Sequence, residues 1–198
     1  MPCEVYASNG ADDPTVRGMT SSVTTSRGSS RLVGTVLWAM KDGKISSIPS
    51  RGSKCHAEKA RALGEIILNK ETIEVDGLGL SVLPGHTGFV SVEGSIKLNP
   101  SYLPPFLTAR LANAWADDAR WAHIHLASQR LLLDSSKTGS YPDWVLYSNG
   151  QLTLPADEQR GDYDAIRNYM WIAMTHPGDP GRAALIKQLS PTVALLMK

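Results

Sequence analysis

Residues 161–174 read GDYDAIRNYMWIAM, and this stretch decides the fold class because its apolar residues follow a helical pattern. They recur at steps of three and four, the spacing of one packed face of an α-helix: Ile166, Tyr169, Met170 and Ala173. Asp164 falls in the first turn, where unpaired backbone N–H groups and the helix dipole stabilise a negative charge. Arg167 follows at i+3 and can pair with it on the helix surface. Asp164 is therefore either a helix-terminal acid with a local ion pair or a functional carboxylate.

Similar spacing predicts further helices on both sides of this stretch, over about 57–69, from 104 or 105 to about 118, over 121–134 and over 179–189. Residues 75–98 are punctuated by glycine and carry short β-branched runs, which indicates extended segments or a long ordered loop. Residues 147–160 read as a second loop. We therefore expect an all-α domain of about five helices packed on helices, with long loops that gather at one end.

The composition excludes several classes of function. The chain has 198 residues, 42% of them hydrophobic and 20% charged, with a net charge of +1. This is typical of one globular domain and gives no field of one sign for nucleic acid or for an anionic membrane. No apolar run reaches the length of a membrane span, and Met1 to Gly10 does not read as a signal peptide. Cys3 and Cys55 lack metal or redox spacing, and His123 and His125, two apart on a predicted helix, point to different faces. With no nucleotide-binding motif in the chain, we expect no metal and no cofactor.

The first 57 residues differ in composition from the rest. They hold 21 Ser, Thr or Gly residues, and seven Lys or Arg against four Asp or Glu. Such a segment buries too little apolar surface to offset the entropy lost on ordering. We therefore expect a poorly ordered leader over 1–57 and a folded domain over 58–198.

Four motifs in the folded part resemble the family 8 glycoside hydrolases, especially the endoglucanases that accompany bacterial cellulose synthases. In chain order they are VDGLGLSVLPGHTGF, LNPSYLPP, QRLLLDSSKTGSYPDWVLYS and YDAIRNYMWIAM, within residues 75–174. The resemblance implies an (α/α)6 barrel, incomplete in this chain, with a β-1,4-glucan bound in a cleft across the loop end. It also implies a functional link to cellulose synthase and a periplasmic or secreted location.

The family resemblance gives Asp164 a role. Hydrolysis with inversion needs one group that protonates the leaving oxygen and a base that activates water. The aspartate of the family's YDAxR motif is that base, and it corresponds here to Asp164. Arg167 would hold the carboxylate ionised and contact the sugar, since a nearby cation favours the charged form of an acid.

Aromatic side chains at the motif positions are the expected sugar contacts, because the C–H faces of glucose pack flat on rings. These are Trp144 of YPDW, Tyr102 of NPSY and Tyr163. Core packing is the alternative for each of the three. Asp143, beside Trp144, is either an acid that accepts a hydrogen bond from a sugar hydroxyl or an acid of the local turn.

The N-terminal part departs from the family at the general acid. The family has a glutamate in a segment like TTSEGQSYG, whereas this chain has VTTSRGSSRLVG, with Arg27 in place of the acid. An arginine cannot donate a proton at useful pH. Glu58, Glu65 and Glu93 are the other candidates for the acid. We expect an impaired endoglucanase, or alternatively an inactive glucan-binding remnant or a frame-damaged fragment.

Overall fold

The computed structural model describes residues 51–136, 140–155 and 161–196. Within these ranges the chain forms five α-helices: α1 (Arg51–Lys70), α2 (Pro105–Ala114), α3 (Ala119–Ser135), α4 (Tyr163–Met174) and α5 (Arg182–Leu196). It also forms five short strands: β1 (Thr72–Val75), β2 (Gly79–Val82), β3 (Ile96–Leu98), β4 (Val145–Ser148) and β5 (Gln151–Thr153). A 3-10 helix, Pro100–Tyr102, precedes α2.

The five predicted helices are confirmed, with differences at their ends. Helix α1 begins at Arg51, so residues 51–57, which the prediction assigned to the leader, are helical. The rest of the predicted leader, residues 1–50, lies outside the described residues. None of the helices in the described ranges is both long and apolar enough to cross a membrane.

The prediction of an all-α domain is wrong in one respect, because two small sheets join the helices. Strands β1 and β2 form an antiparallel hairpin, and β3, β4 and β5 form a second antiparallel sheet. The segment predicted as a loop over 147–160 contains part of β4 and all of β5. Each strand is three or four residues long, too short to show a clear period of two, and β4 pairs with a segment about fifty residues away.

The second sheet brings the two long predicted loop regions together. Ile96 of β3 pairs with Tyr147 of β4, and Leu98 pairs with Val145. The last residues of the 75–98 segment and the residues that follow YPDW therefore lie side by side. This agrees with the expectation that the long loops gather at one end of the helices.

Helix α4 has the predicted period but a different buried face. Ile166 and Met170, predicted to pack, are 58% and 53% exposed. The buried residues are Ala165, Asn168 and Ile172, each within one or two positions of a predicted one. The spacing of three and four is the same for both faces, so the pattern identified the helix and not its rotation about its own axis.

Three apolar clusters form the core. The first lies between α1, α2 and α3, where Trp115 and Trp121 are buried with ring centroids 5.5 Å apart. The second lies between α3 and the sheets, and the third between α3, α4 and α5. Helix α3 contributes to all three clusters and is the central element of the fold.

The turns of the two hairpins touch each other at two glycines. Gly77, between β1 and β2, has a φ of 77°, and Gly150, between β4 and β5, has a φ of 72°. A Cβ atom on Gly77 would lie 2.5 Å from the carbonyl oxygen of Gly150. Gly77 therefore requires glycine for its backbone conformation and for the close approach, and Gly150 requires it for its backbone conformation.

Candidate active site

Asp164 and Arg167 form the ion pair predicted from the sequence. Asp164 lies in the first turn of α4, and one of its carboxylate oxygens, Oδ1, accepts a hydrogen bond from Nη2 of Arg167. The two side chains are 25% and 40% exposed, so the pair is only partly covered. Asp164 stands at the N-terminal end of α4, the end at which a helix dipole attracts negative charge.

Asn99 contacts the same carboxylate from a different part of the chain. Its amide nitrogen Nδ2 donates a hydrogen bond of 2.6 Å to Oδ2 of Asp164. Its amide oxygen accepts from the backbone N–H of Ser101 at 2.9 Å and from the Ser101 hydroxyl at 2.8 Å. Asn99 was not among the predicted site residues, although an Asn directly before Pro-Ser is a recognisable helix N-cap.

Helix α4 is held against the 3-10 helix at a second point. The indole Nε1 of Trp171 donates to the carbonyl oxygen of Ser101 at 2.9 Å. Trp171 also packs on Phe106, with ring centroids 5.7 Å apart. Two separate contacts, one at Asp164 and one two turns later, therefore fix how α4 lies on the Pro100–Tyr102 segment.

Tyr102 lies beside the ion pair. The Arg167 guanidinium stands over its ring, with 5.5 Å between the guanidinium carbon and the ring centroid. Burial first, and then the neighbouring Asp164 carboxylate, raise the pKa of the Tyr102 hydroxyl, and Arg167 opposes the rise. The phenol therefore stays protonated at neutral pH and can donate a hydrogen bond.

Trp144 extends this cluster away from the carboxylate. Its ring meets the edge of Tyr102, with centroids 5.7 Å apart, and lies nearly parallel to Phe89 at 6.0 Å. The ammonium group of Lys97 is 4.8 Å from the Trp144 centroid. Phe89 and Lys97 were not among the predicted site residues, because their proximity depends on the pairing of β3 with β4.

Asp143 has a structural contact in this fold. Its Oδ1 accepts from the backbone N–H groups of Asp162, at 2.9 Å, and Ala165, at 2.8 Å. Both groups lie at the start of α4, whose own N-cap residue makes no side-chain cap. Asp143 therefore caps the helix that carries Asp164, from a distant segment.

Tyr163 is placed differently from the other predicted residues. It lies next to Asp164 in the chain, and its side chain is 83% exposed. The structure thus brings Asp164, Arg167, Tyr102 and Trp144 into one connected group, with Tyr163 in solvent at its border.

The described residues contain no group of three or more His, Cys, Asp or Glu side chains that could hold a metal ion. His123 is exposed on α3. His125 instead contacts Asp179, with 3.2 Å between Nε2 and the carboxylate, and the hydroxyl of Thr108 at 3.0 Å. The arrangement around Asp164 itself offers a carboxylate for acid–base chemistry and ring surfaces for an uncharged polar ligand.

Comparison with known proteins agrees with this chemistry. The family model of glycosyl hydrolases family 8 matches residues 51–197. An endoglucanase from Salmonella typhi is 39% identical over 145 residues, which are 72% of this chain and 38% of that protein. An endoglucanase from Xanthomonas axonopodis pv. citri is 43% identical over 135 residues, 67% of this chain and 34% of that protein. The chain thus spans little more than a third of the length of these relatives.

Solved structures give the same fold. The endo-1,4-D-glucanase of Vibrio fischeri ES114 superposes with a TM-score of 0.77 at 29% identity, over 86% of this chain and 48% of that one. The endo-β-1,4-glucanase CMCax of Acetobacter xylinum has a TM-score of 0.57 at 24% identity, over 77% and 48% of the two chains. With the family match covering well over half of its residues, this chain belongs to glycosyl hydrolase family 8.

Proposed function

We propose that this chain is an endo-β-1,4-glucanase, which hydrolyses internal bonds of cellulose-like glucans with inversion and uses Asp164 as the general base. One observation carries the proposal. Asp164 is held between Arg167 and Asn99 at a partly open helix end, and Arg167 lies over Tyr102, which packs against Trp144. The names of the relatives, which are endoglucanases, support the same substrate class.

In this mechanism each part of the site has a distinct task. The Asp164 carboxylate takes a proton from a water molecule, and the Arg167 guanidinium holds the carboxylate through a hydrogen bond. Trp144, Tyr102 and the exposed Tyr163 present ring surfaces to glucose units. Asp143 acts mainly through the cap that it supplies to α4, and a direct contact with a sugar hydroxyl is a second role.

We further propose that hydrolysis by this chain is impaired, because none of the candidate acids in the described part of the chain suits the role of proton donor. An inverting enzyme places the acid roughly 6.5–9.5 Å from the base. Glu58 and Glu93 are exposed, and Glu65 forms an ion pair with Arg120 at 3.3 Å. A non-catalytic glucan-binding protein is therefore the second candidate function.

The remaining parts of the proposal concern the complete fold of the family and the setting in which the protein acts. The helix pairs described here would form part of an (α/α)6 barrel, with the glucan lying across the end that carries the second sheet. A periplasmic or secreted location and a functional link to cellulose synthase complete the proposal. These parts rest on the resemblance of the four sequence motifs.

The proposal is tested with two substrates. The purified chain should hydrolyse carboxymethylcellulose far more slowly than an intact relative, by about 10² to 10⁴-fold, because positioned acid catalysis is missing. Activity should partly recover on an aryl cellooligosaccharide, whose leaving group needs no protonation. Asp164→Asn should abolish that recovered activity, while Asp117→Asn, in an exposed ion pair with Arg61, should leave it unchanged.

Full activity on carboxymethylcellulose that persists in Asp164→Asn would contradict both the assignment of Asp164 as the base and the proposal that the general acid is missing. Binding of cellotetraose without turnover of either substrate would favour the non-catalytic alternative.

A further inference from the structure

We propose that Asn99 is a positioning residue for Asp164, which fixes the orientation of the carboxylate so that it faces the attacking water. This inference rests on the proposed function, because it assigns Asn99 a task in the same reaction. Asn99 does not touch the substrate in this account and acts only through Asp164.

The first observation is that the orientation of the Asn99 amide is determined. Its oxygen accepts two hydrogen bonds, from the backbone N–H and the hydroxyl of Ser101. The NH₂ group must then point the other way, to Oδ2 of Asp164 at 2.6 Å. The Asn99 side chain is almost completely buried, so water does not compete for these bonds.

The second observation concerns the acceptor directions of the carboxylate. An ionised carboxylate has roughly four lone-pair directions. Asn99 uses one on Oδ2 and Arg167 uses one on Oδ1. The remaining directions belong to a side chain that is 25% exposed, so a water molecule can reach the carboxylate.

The third observation concerns charge. Arg167 already pairs with Asp164, and a second cation beside this carboxylate would weaken its ability to accept a proton. A neutral amide holds the carboxylate without adding charge. An acid in its place would put two carboxylates in contact, and the pair would then retain a proton.

The turnover test uses the full chain and an aryl cellooligosaccharide. Asn99→Ala should lower kcat by about tenfold to a hundredfold through misplacement of the base, with the affinity for cellotetraose within about twofold of the unmodified chain. Asn99→Asp should lower kcat further at neutral pH and move the acid limb of the pH–rate profile to higher pH. The aspartate introduced at position 99 would face the carboxylate of Asp164, whose other neighbours are Arg167 and Tyr102.

Two further variants separate positioning from a general structural effect. Ser101→Ala removes one of the two bonds that orient the amide and should give a smaller loss of kcat than Asn99→Ala. Asn69→Ala removes an asparagine that bonds to Arg120 outside the site and should leave kcat unchanged. Equal kcat for Asn99→Ala and the unmodified chain, or a loss confined to cellotetraose affinity, would overturn the proposal.

A second measurement does not depend on turnover. In a ¹⁵N-labelled chain, the side-chain NH₂ resonance that disappears in Asn99→Ala belongs to Asn99. It should shift in Asp164→Ala, while the side-chain resonance of Asn69 should stay in place. If the unmodified chain does not turn over the aryl cellooligosaccharide, the proposed function fails. The Asn99 proposal is then decided by this resonance, and an unshifted Asn99 resonance overturns it.

Discussion

The side chains around Asp164 come both from its own helix and from segments that are distant in sequence. Arg167 is three positions away and was predictable from the helical repeat. Asn99 is 65 positions away and meets Asp164 only because the 3-10 helix packs on α4. Tyr102 and Trp144 were predicted from the family motifs, whereas Phe89 and Lys97 depend on the register of β3 and β4.

The first prediction for a single residue concerns Glu71. Its side chain is buried at the end of α1, and burial raises the pKa of its carboxyl above the ordinary 4.5, with His86 opposing the rise. The folded state therefore binds this proton more tightly than the unfolded state, and stability is lost as the pH rises above 4.5.

Glu71→Gln should consequently raise the free energy of unfolding at neutral pH, and the gain should shrink as the pH falls towards 4.5. Urea denaturation at several pH values measures this difference. Glu74→Gln, a change on an exposed position of β1, is the matched control and should have little effect. A loss of stability at neutral pH in Glu71→Gln would show that the charged form is satisfied in the fold.

Among the elements, the helices followed from sequence and the strands only in part, since β2 and β3 lie in the segment 75–98 that was predicted as extended segments or a long loop. A helix repeats its apolar positions within its own segment, so the local pattern of residues 161–174 was enough to identify α4. Its rotation depends on which partner helix covers it, and the predicted face was therefore displaced towards Ile166 and Met170. Strand β3 pairs with β4 about fifty residues away, and no local pattern reveals that pairing. Strand β5 instead follows β4 through the turn Asn149-Gly150, a local hairpin signal that was not used in the prediction.

The cap of α4 gives a prediction for this element. Asp143 accepts hydrogen bonds from two backbone N–H groups at the start of the helix. Asp143→Ala should therefore lower the free energy of unfolding by about 0.5–2 kcal/mol. The same change should reduce turnover of an aryl cellooligosaccharide, because Asp164 lies in the turn that loses its cap. Thermal unfolding and initial rates measure the two effects.

Asp143→Asn is the control for this cap, since an amide oxygen can accept the same bonds. It should retain most of the stability and most of the turnover. If Asp143→Asn loses turnover while keeping full stability, the charge of Asp143 itself acts on the sugar, and the cap is not its main role.

For the whole molecule, a polar group outside the active site links three elements. His125 of α3 contacts Asp179 ahead of α5 and Thr108 of α2. Burial lowers the pKa of His125 below the ordinary 6.5 and outweighs the opposing effect of Asp179. The unfolded chain therefore takes up this proton at a higher pH than the folded chain does.

The contribution of His125 to the free energy of unfolding should then be fully present above pH 6.5 and decrease as the pH falls from there towards the lowered pKa of His125. Denaturation at about pH 8 and about pH 5 tests this, with His125→Gln expected to reduce the difference between the two. His123→Gln, on the exposed side of the same helix, should leave the difference as it is. An equal pH dependence in all three proteins would exclude His125 as its source.

The contact between Gly77 and Gly150 has a consequence for where foreign sequence can be added. Surface turns of glycine are ordinarily good places to insert a peptide tag. Here an insertion at either hairpin would force apart two turns whose backbones touch, and would disturb both sheets together. The turn at Gly94 is open, since a Cβ atom added there would meet no atom within 4 Å, and neighbouring Val92 is fully exposed. A tag placed between Val92 and Gly94 should therefore leave the fold intact, while the same tag at Gly77 should prevent the two hairpins from packing.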